Sequence, residues 1–270
     1  MTYQFDHIVH FVGYPEKAAE VLQSLGLHAV QGGRHETFGT YNALSYFGLS
    51  YIELMGVFDQ NLLESQDNHP YSLQESLLEN NYENGAVRIA VRSKDLQADA
   101  ERFRKLGLEV IGPMDLSRKR PDGTVLSWKL LFIGKNEVNP KLPFLIEWDD
   151  SDEERLKNLK EQNTIAPHPI GEISLTSVGY AVKNIDASIN DWSTYLQLEK
   201  GASFIDESLQ AEAQVLHLKG GNVIFYEPVG DGKAKEFLEK NGEKPFLIEF
   251  KNKKEEKDIE VFGTIYRFTK

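Results

Sequence analysis

The sequence predicts an α+β protein assembled from repeated β-α-β-β-β units. Three observations carry that expectation. A strand-like stretch rich in β-branched and aromatic residues recurs as FDHIVHFV (5–12), AVRIAVR (86–92) and SVGYAVK (177–183). Each is followed by a helical stretch with an apolar stripe: Ala18/Val21/Leu22/Leu25, then Leu96/Ala100/Phe103/Leu106, then Ile185/Ile189/Trp192/Leu196. The exits from the three helices also resemble one another, as LGLHAVQGG (25–33), LGLEVIGPM (106–114) and LQLEKGASF (196–204).

Each unit can be followed in order. Pro15 opens the first helix, where its fixed φ and missing N–H are tolerated, and Gly26 stops it. LHAV, NALSYF and YIELMG are its three further strand candidates. The second helix ends at Gly107, and LEVIG, VLSWKLLFI and PFLIEW follow. The third unit continues with LEKGASF, QVLHLK and NVIFYEP. Beyond it, KAKEFLEKN (233–241) reads as a helix, PFLIEF (245–250) nearly repeats PFLIEW (143–148), and EVFGTIYRF (260–268) is expected to be one final strand. A fourth unit would therefore be truncated or degenerate. The charge-dense segment from Asp149 to Thr164 predicts a solvated helix joining two halves. The expected organisation is a paired-unit domain over 1–150 carrying the site, a charged linker over 151–171, and a third unit with a degenerate extension over 172–270.

The bulk properties narrow the function classes. A chain of 270 residues suffices for two domains or for one built from several units. The absence of cysteine excludes a disulfide framework, a thiolate metal site and a cysteine nucleophile, and it suits a reducing compartment. A formal net charge of −12 with no basic stripe argues against nucleic acid as a partner. There is neither a signal-like N-terminus nor an apolar run approaching the ~20 residues that span a bilayer. A soluble, cytoplasmic protein with a small-molecule ligand and no membrane partner is expected.

Particular residues then carry a family likeness. The first strand contains Asp6-His7, the first helix ends in Leu25-Gly26, and the fourth strand reads Tyr51-Ile52-Glu53. This pattern resembles the vicinal oxygen chelate superfamily. GGRHETFGTYNAL (32–44), YIEL (51–54), SRKRPDGTVLSW (117–128) and PFLIEW (143–148) make the chain similar to one branch of it, the glyoxalase-like domain family. The resemblance implies the glyoxalase/bleomycin resistance/dihydroxybiphenyl dioxygenase fold, in which paired units curl into a half-open mixed sheet. It also implies a divalent metal (Zn, Ni, Mn or Fe) held from the first and fourth strands of the paired units, stabilising an oxyanion. Pairing of units across subunits is common in the superfamily, so a homodimer is one expected assembly.

Carried over residue by residue, His7 and Glu53 match the metal ligands, and Glu147 echoes Glu53 in the second unit. Arg88 stands where the second unit's histidine would fall, and arginine cannot ligate a metal at neutral pH. It would pair instead with Glu147 and fill the metal's place. Two readings follow: a His7/Glu53 site helped by His35 or Glu147, or no metal at all. Glu53 and His35 are the candidate catalytic groups. Arg118 and Arg120 lead into a Pro121-Asp122-Gly123 turn and could clamp an anionic substrate, with Arg34 and Trp128 also facing the cleft. His10 should point away from His7 as a structural group. The third unit has Gly179 or Tyr180 at the histidine position, so the second half is expected to be poor in site residues. The leading function is a glyoxalase-type lyase or isomerase acting on an anionic, oxygen-rich substrate. A non-catalytic binder of the bleomycin-resistance type is the alternative, and extradiol ring cleavage, with His7, His35 and Glu53 around iron, is a third.

Overall fold

The computed structural model describes residues 3–66, 69–119 and 125–270. The first unit is β1 (Gln4–Phe11), α1 (Pro15–Ser24), β2 (Val30–His35), β3 (Thr40–Phe47) and β4 (Ser50–Val57). Two short helices follow, α2 (Gln60–Ser65) and α3 (Leu73–Glu79). The second unit is β5 (Gly85–Arg92), α4 (Leu96–Lys105), β6 (Glu109–Lys119), β7 (Val125–Gly134) and β8 (Phe144–Trp148). Helix α5 (Asp152–Glu161) leads to the third unit: β9 (Ile173–Ala181), α6 (Ile185–Leu196), β10 (Glu199–Asp206), β11 (Ala211–His217) and β12 (Asn222–Pro228). The chain ends with α7 (Lys233–Asn241), β13 (Pro245–Asn252), β14 (Lys257–Val261) and β15 (Thr264–Thr269).

The strands form two mixed sheets. The first runs β2-β3-β4-β1-β5-β8-β7-β6, so the two units join back to back through antiparallel β1 and β5. The second runs β10-β11-β12-β9-β13-β15-β14, joined in the same way through β9 and β13. Its second wing has only three strands and lacks a crossover helix. EVFGTIYRF is not one strand. Phe262 and Gly263 both take positive φ and fold it into the β14–β15 hairpin. The first sheet curls until its edges meet, with the Arg118 guanidinium of β6 lying so close to Gly33 of β2 that a side chain there would collide with it.

The three similar helix exits share a conformation. Gly26 and Gly107 take φ of +79° and +78°, and Gln197 takes the same left-handed region at 54° without glycine's freedom. The helix stripes and the convex sides of both sheets form one shared core, including Phe5, Phe103, Trp192 and Phe250. The concave side of the second sheet is closed differently. Ala234, Phe237 and Leu238 of α7 pack into it against Ile224, Tyr226 and Leu247. Among the described residues, no helix is long and apolar enough to cross a membrane.

His10 is buried between the sheets, as a structural group. Its Nε2–H donates to the Phe262 carbonyl at 3.1 Å, and its Nδ1 accepts from the Tyr266 hydroxyl at 3.0 Å. Both nitrogens are thus satisfied in the neutral ring. Burial lowers its pKa from 6.5 to about 4, with the Phe262 carbonyl opposing. The unfolded chain therefore binds a proton that the folded one refuses between those values. His10 should remove about 3 kcal/mol of stability as pH falls from 6.5 to 4. Urea unfolding across that window should show a flatter pH dependence for His10→Gln than for the wild type. Identical slopes would contradict this account.

Candidate active site

A cavity of about 620 Å3 opens on the concave side of the first sheet. Strand alternation builds it, because every second residue points inward. Thr40, Asn42, Leu44 and Tyr46 enter from β3, Tyr51, Glu53 and Met55 from β4, and Phe144, Ile146 and Trp148 from β8. Leu63, Leu73 and Leu77 of α2 and α3 roof it, and Leu159 of α5 closes one end.

His7 reaches the cavity through a β-bulge. Phe5 pairs with Val91 and His7 with Ala90, which leaves Asp6 as the extra residue. Asp6 and His7 therefore lie side by side, and His7 Nδ1–H donates to Asp6 Oδ1 at 2.8 Å. That bond turns Nε2 toward Glu53, whose Oε2 is 3.6 Å away. Asn42 Nδ2 holds the other oxygen, Oε1, at 2.6 Å. Asp6, His7, Asn42 and Glu53 are all buried. The His7 ring stacks on Tyr51 with centroids 4.6 Å apart, and Tyr51 stacks on Tyr46 at 4.5 Å.

Asp6 is fully buried and also accepts from Arg92 Nη1 and Trp148 Nε1, each at 3.1 Å, with Arg155 Nη1 at 3.6 Å. Burial alone would raise its pKa. Arg155, the His7 N–H and Arg92 outweigh that and hold it at about 2. Arg155 comes from α5, whose guanidinium lies 4.1 Å over the Trp148 ring. The segment expected to be a solvated linker thus buries Arg155 and Leu159 against the site. His168, just beyond, accepts the His28 N–H at 2.9 Å and bonds the Tyr46 carbonyl at 2.9 Å, stitching the linker to β3.

His35 lines the cavity with its Nδ1 2.9 Å from the Thr40 hydroxyl, edge-on to Trp128. Burial lowers its pKa, Glu53 opposes the shift and Arg118 adds to it. Arg118 also lines the cavity. Its Nη1 is buried and has no hydrogen-bond acceptor among the described residues. Trp128 is half-buried in the wall. Arg34 does not face the cavity. It follows the irregularity at Gly32-Gly33, alternates outward from His35, pairs with Glu36 at 3.0 Å and stacks on Phe58. Arg120 lies outside the described residues.

Glu147 requires correction, and three main-chain bonds give the reason. Val12 N donates to Met55 O, Ser93 N to Ile146 O, and Val182 N to Tyr226 O. These fix the register between units. Gly56, Glu147 and Glu227 then occupy one position, while Glu53 corresponds to Phe144 and Ile224. Glu147 Oε2 accepts the Leu96 N–H at 2.7 Å, and Glu227 Oε2 accepts the Ile185 N–H at 2.8 Å. Each carboxylate caps the N-terminus of its own unit's helix. In the first unit the helix starts with Pro15, which has no N–H to cap, and a Cβ at Gly56 would sit 2.6 Å from its Cδ. Counting back from the same bonds, Arg88 and Ser177 stand at the His7 position. Arg88 does not pair with Glu147. Its Nε donates to the Leu142 carbonyl at 2.7 Å and its Nη1 to the Tyr71 carbonyl, anchoring the entry to α3. Burial lowers its pKa to about 10.

A divalent ion held by protein needs about three side-chain donors. Among the described residues, no three His, Cys, Asp or Glu side chains gather closely enough to hold one. His7 and Glu53 supply two, and Glu147 is engaged elsewhere. The expected set of His7, Glu53 and Glu147 therefore does not fit a metal. What the arrangement offers is a desolvated imidazole–carboxylate pair, each member fixed from behind, facing a guanidinium.

The fold and site define a member of the vicinal oxygen chelate superfamily. A family model described as a glyoxalase-like domain matches residues 5–196, and the chain belongs to that family. A hypothetical protein from Staphylococcus aureus is similar over 99% of both chains, at 23% identity and a TM-score of 0.80. A triple variant of 4-hydroxymandelate synthase from Streptomyces coelicolor is similar over 93% of this chain and 72% of its own, at 12% identity and a TM-score of 0.61. At those identities the likenesses show the fold. No curated protein matches the sequence.

Proposed function

We propose that this chain is a glyoxalase-like enzyme of the isomerase or lyase type that moves a proton on an anionic small molecule. The supporting observation is the line Asp6–His7···Glu53–Asn42 on the cavity wall, hydrogen-bonded at each end with His7 Nε2 3.6 Å from Glu53 Oε2 between. Glu53 is the base that takes a proton from carbon. Asp6, held ionised, fixes the His7 tautomer so that Nε2 faces Glu53 and can accept or return that proton. His35, kept neutral by burial, is available to polarise a carbonyl, and Arg118 holds the anion.

Deuterium incorporation from D2O into a panel of 2-oxo and 2-hydroxy acids tests this reading. Glu53→Gln should slow exchange by about 10²- to 10⁴-fold. Exchange that survives unchanged in the variant would overturn it. The second reading, a non-catalytic binder, is favoured by the cavity's many apolar side chains and by Asn42 already occupying Glu53. Ligands that bind without any exchange would support it.

A further inference from the structure

We infer that the ligand is a monocarboxylate with an apolar, ring-sized body, bound through Arg118; this rests on the reading of the cavity as a small-molecule site. Charge comes first. Among the described residues lining the cavity, Arg118 is the one arginine or lysine, and Glu53 the one aspartate or glutamate. Glu53 already has Asn42 and His7. Arg118 Nη1 is buried with no acceptor among the described residues. A buried guanidinium donor without an acceptor is costly, and a carboxylate repairs that defect with matching geometry. Gly33 makes the arrangement feasible, since any Cβ there would collide with that guanidinium.

The second argument is placement. The Arg118 guanidinium abuts Gly33, whose N–H donates to Asn42 Oδ1 at 2.9 Å, and Asn42 in turn holds Glu53 at 2.6 Å. The anion-binding donor and the base thus share one end of the cavity. A carboxylate on Arg118 would bring its neighbouring carbon toward Glu53.

The third argument is the rest of the wall. Tyr46 and Tyr51 are stacked, and Phe132–Phe144 and Trp128–Trp148 are tilted pairs with centroids 5.8 Å apart. Leucines and methionines fill much of the space between, with Gln31, Gln66, Gln74 and Gln162 also on the lining. Aromatic walls favour a ring offset or edge-on to them. A di- or triphosphate would find one arginine where several cations are needed.

Tryptophan emission provides the test, because Trp128 and Trp148 line the cavity. The probes are 3-phenylpropanoate, its primary amide, 3-cyclohexylpropanoate, acetate and inorganic phosphate. Both ring-bearing carboxylates should bind, the amide about ten- to hundredfold more weakly, and acetate and phosphate not at all. Arg118→Gln should abolish the acid–amide difference while leaving amide affinity unchanged, and Arg118→Lys should restore part of it. An amide that binds the wild type as tightly as its acid, or phosphate that competes, would overturn the inference without recourse to any variant. Failure here is separable from failure of the proposed reaction. Carboxylates that bind while Glu53→Gln still exchanges would sink the reaction alone. Glu53-dependent exchange on some other substrate, with no carboxylate binding, would sink this inference alone.

Discussion

Asp6→Asn should lose about 3–5 kcal/mol of unfolding free energy, the cost of breaking a buried ion pair from one side. The wild-type carboxylate faces His7, Arg92, Trp148 and Arg155 while fully buried. The amide keeps the shape but leaves the buried Arg155 guanidinium without its carboxylate and Arg92 with the part-exposed Asp152 alone. Asp152→Asn is the control. That carboxylate also meets Arg92, at 3.2 Å, but its side chain is 41% exposed, and such pairs contribute under about 1 kcal/mol. The pH dependence has a definite sign. Asp6 is depressed from 3.8 to about 2, so its stabilisation is present above 3.8 and is lost as pH falls toward 2. Urea unfolding at neutral pH and near pH 3 should therefore bring wild type and variant closer together in acid. A neutral-pH loss no larger than that of Asp152→Asn would refute the account.

Trp192→Ala should cost about 3–5 kcal/mol by vacating a fully buried site. Its ring packs edge-on against Tyr180 and Phe225, each at 5.2 Å. Its Nε1–H donates at 3.2 Å to the carbonyl of Pro140, in the loop before β8, so it ties α6 to the first half of the chain. The variant also leaves Trp128 and Trp148 as the remaining fluorophores of the chain's three tryptophans, both in the cavity wall. Trp128→Ala, which removes a half-buried ring already facing open space, should cost much less. Equal losses in guanidinium unfolding would show that Trp192 does not bridge the halves.

Much of the fold was legible because its signals are local and repeated. Strand, stripe and αL exit recur within each unit, even where Gln197 replaces glycine. Glu53 was legible as well, since alternation in YIELM leaves little choice of face. Other parts rest on interactions that sequence adjacency hides. Matching PFLIEW to YIEL by its letters shifted Glu147 by three residues, an odd step that turns the side chain to the other strand face, away from the cavity and onto a helix end. The Gly32-Gly33 irregularity sent Arg34 outward. Asp6 stood in the motif itself, yet only the bulge reveals that it shares a side with His7. Asn42 stood within GGRHETFGTYNAL, two residues before Leu44, and alternation alone could have placed it beside Glu53. Arg155 carried no signal, because a buried arginine in a highly charged helix looks like its neighbours. The roofing helices α2 and α3 belong to no repeat and have no counterpart to compare.

Internal duplication would by itself give a chain two moulds of similar shape. In this one the second mould is filled by its own casting, the nine residues of α7. Whether the second concave face stays open is thus decided by an insert outside the repeating pattern. Shaving Phe237 and Leu238 to alanine would hollow a second chamber whose wall offers Ile224 where the first offers Glu53. That vacancy would be a greasy compartment with an isoleucine in the carboxylate's place, beside a first cavity left as it was.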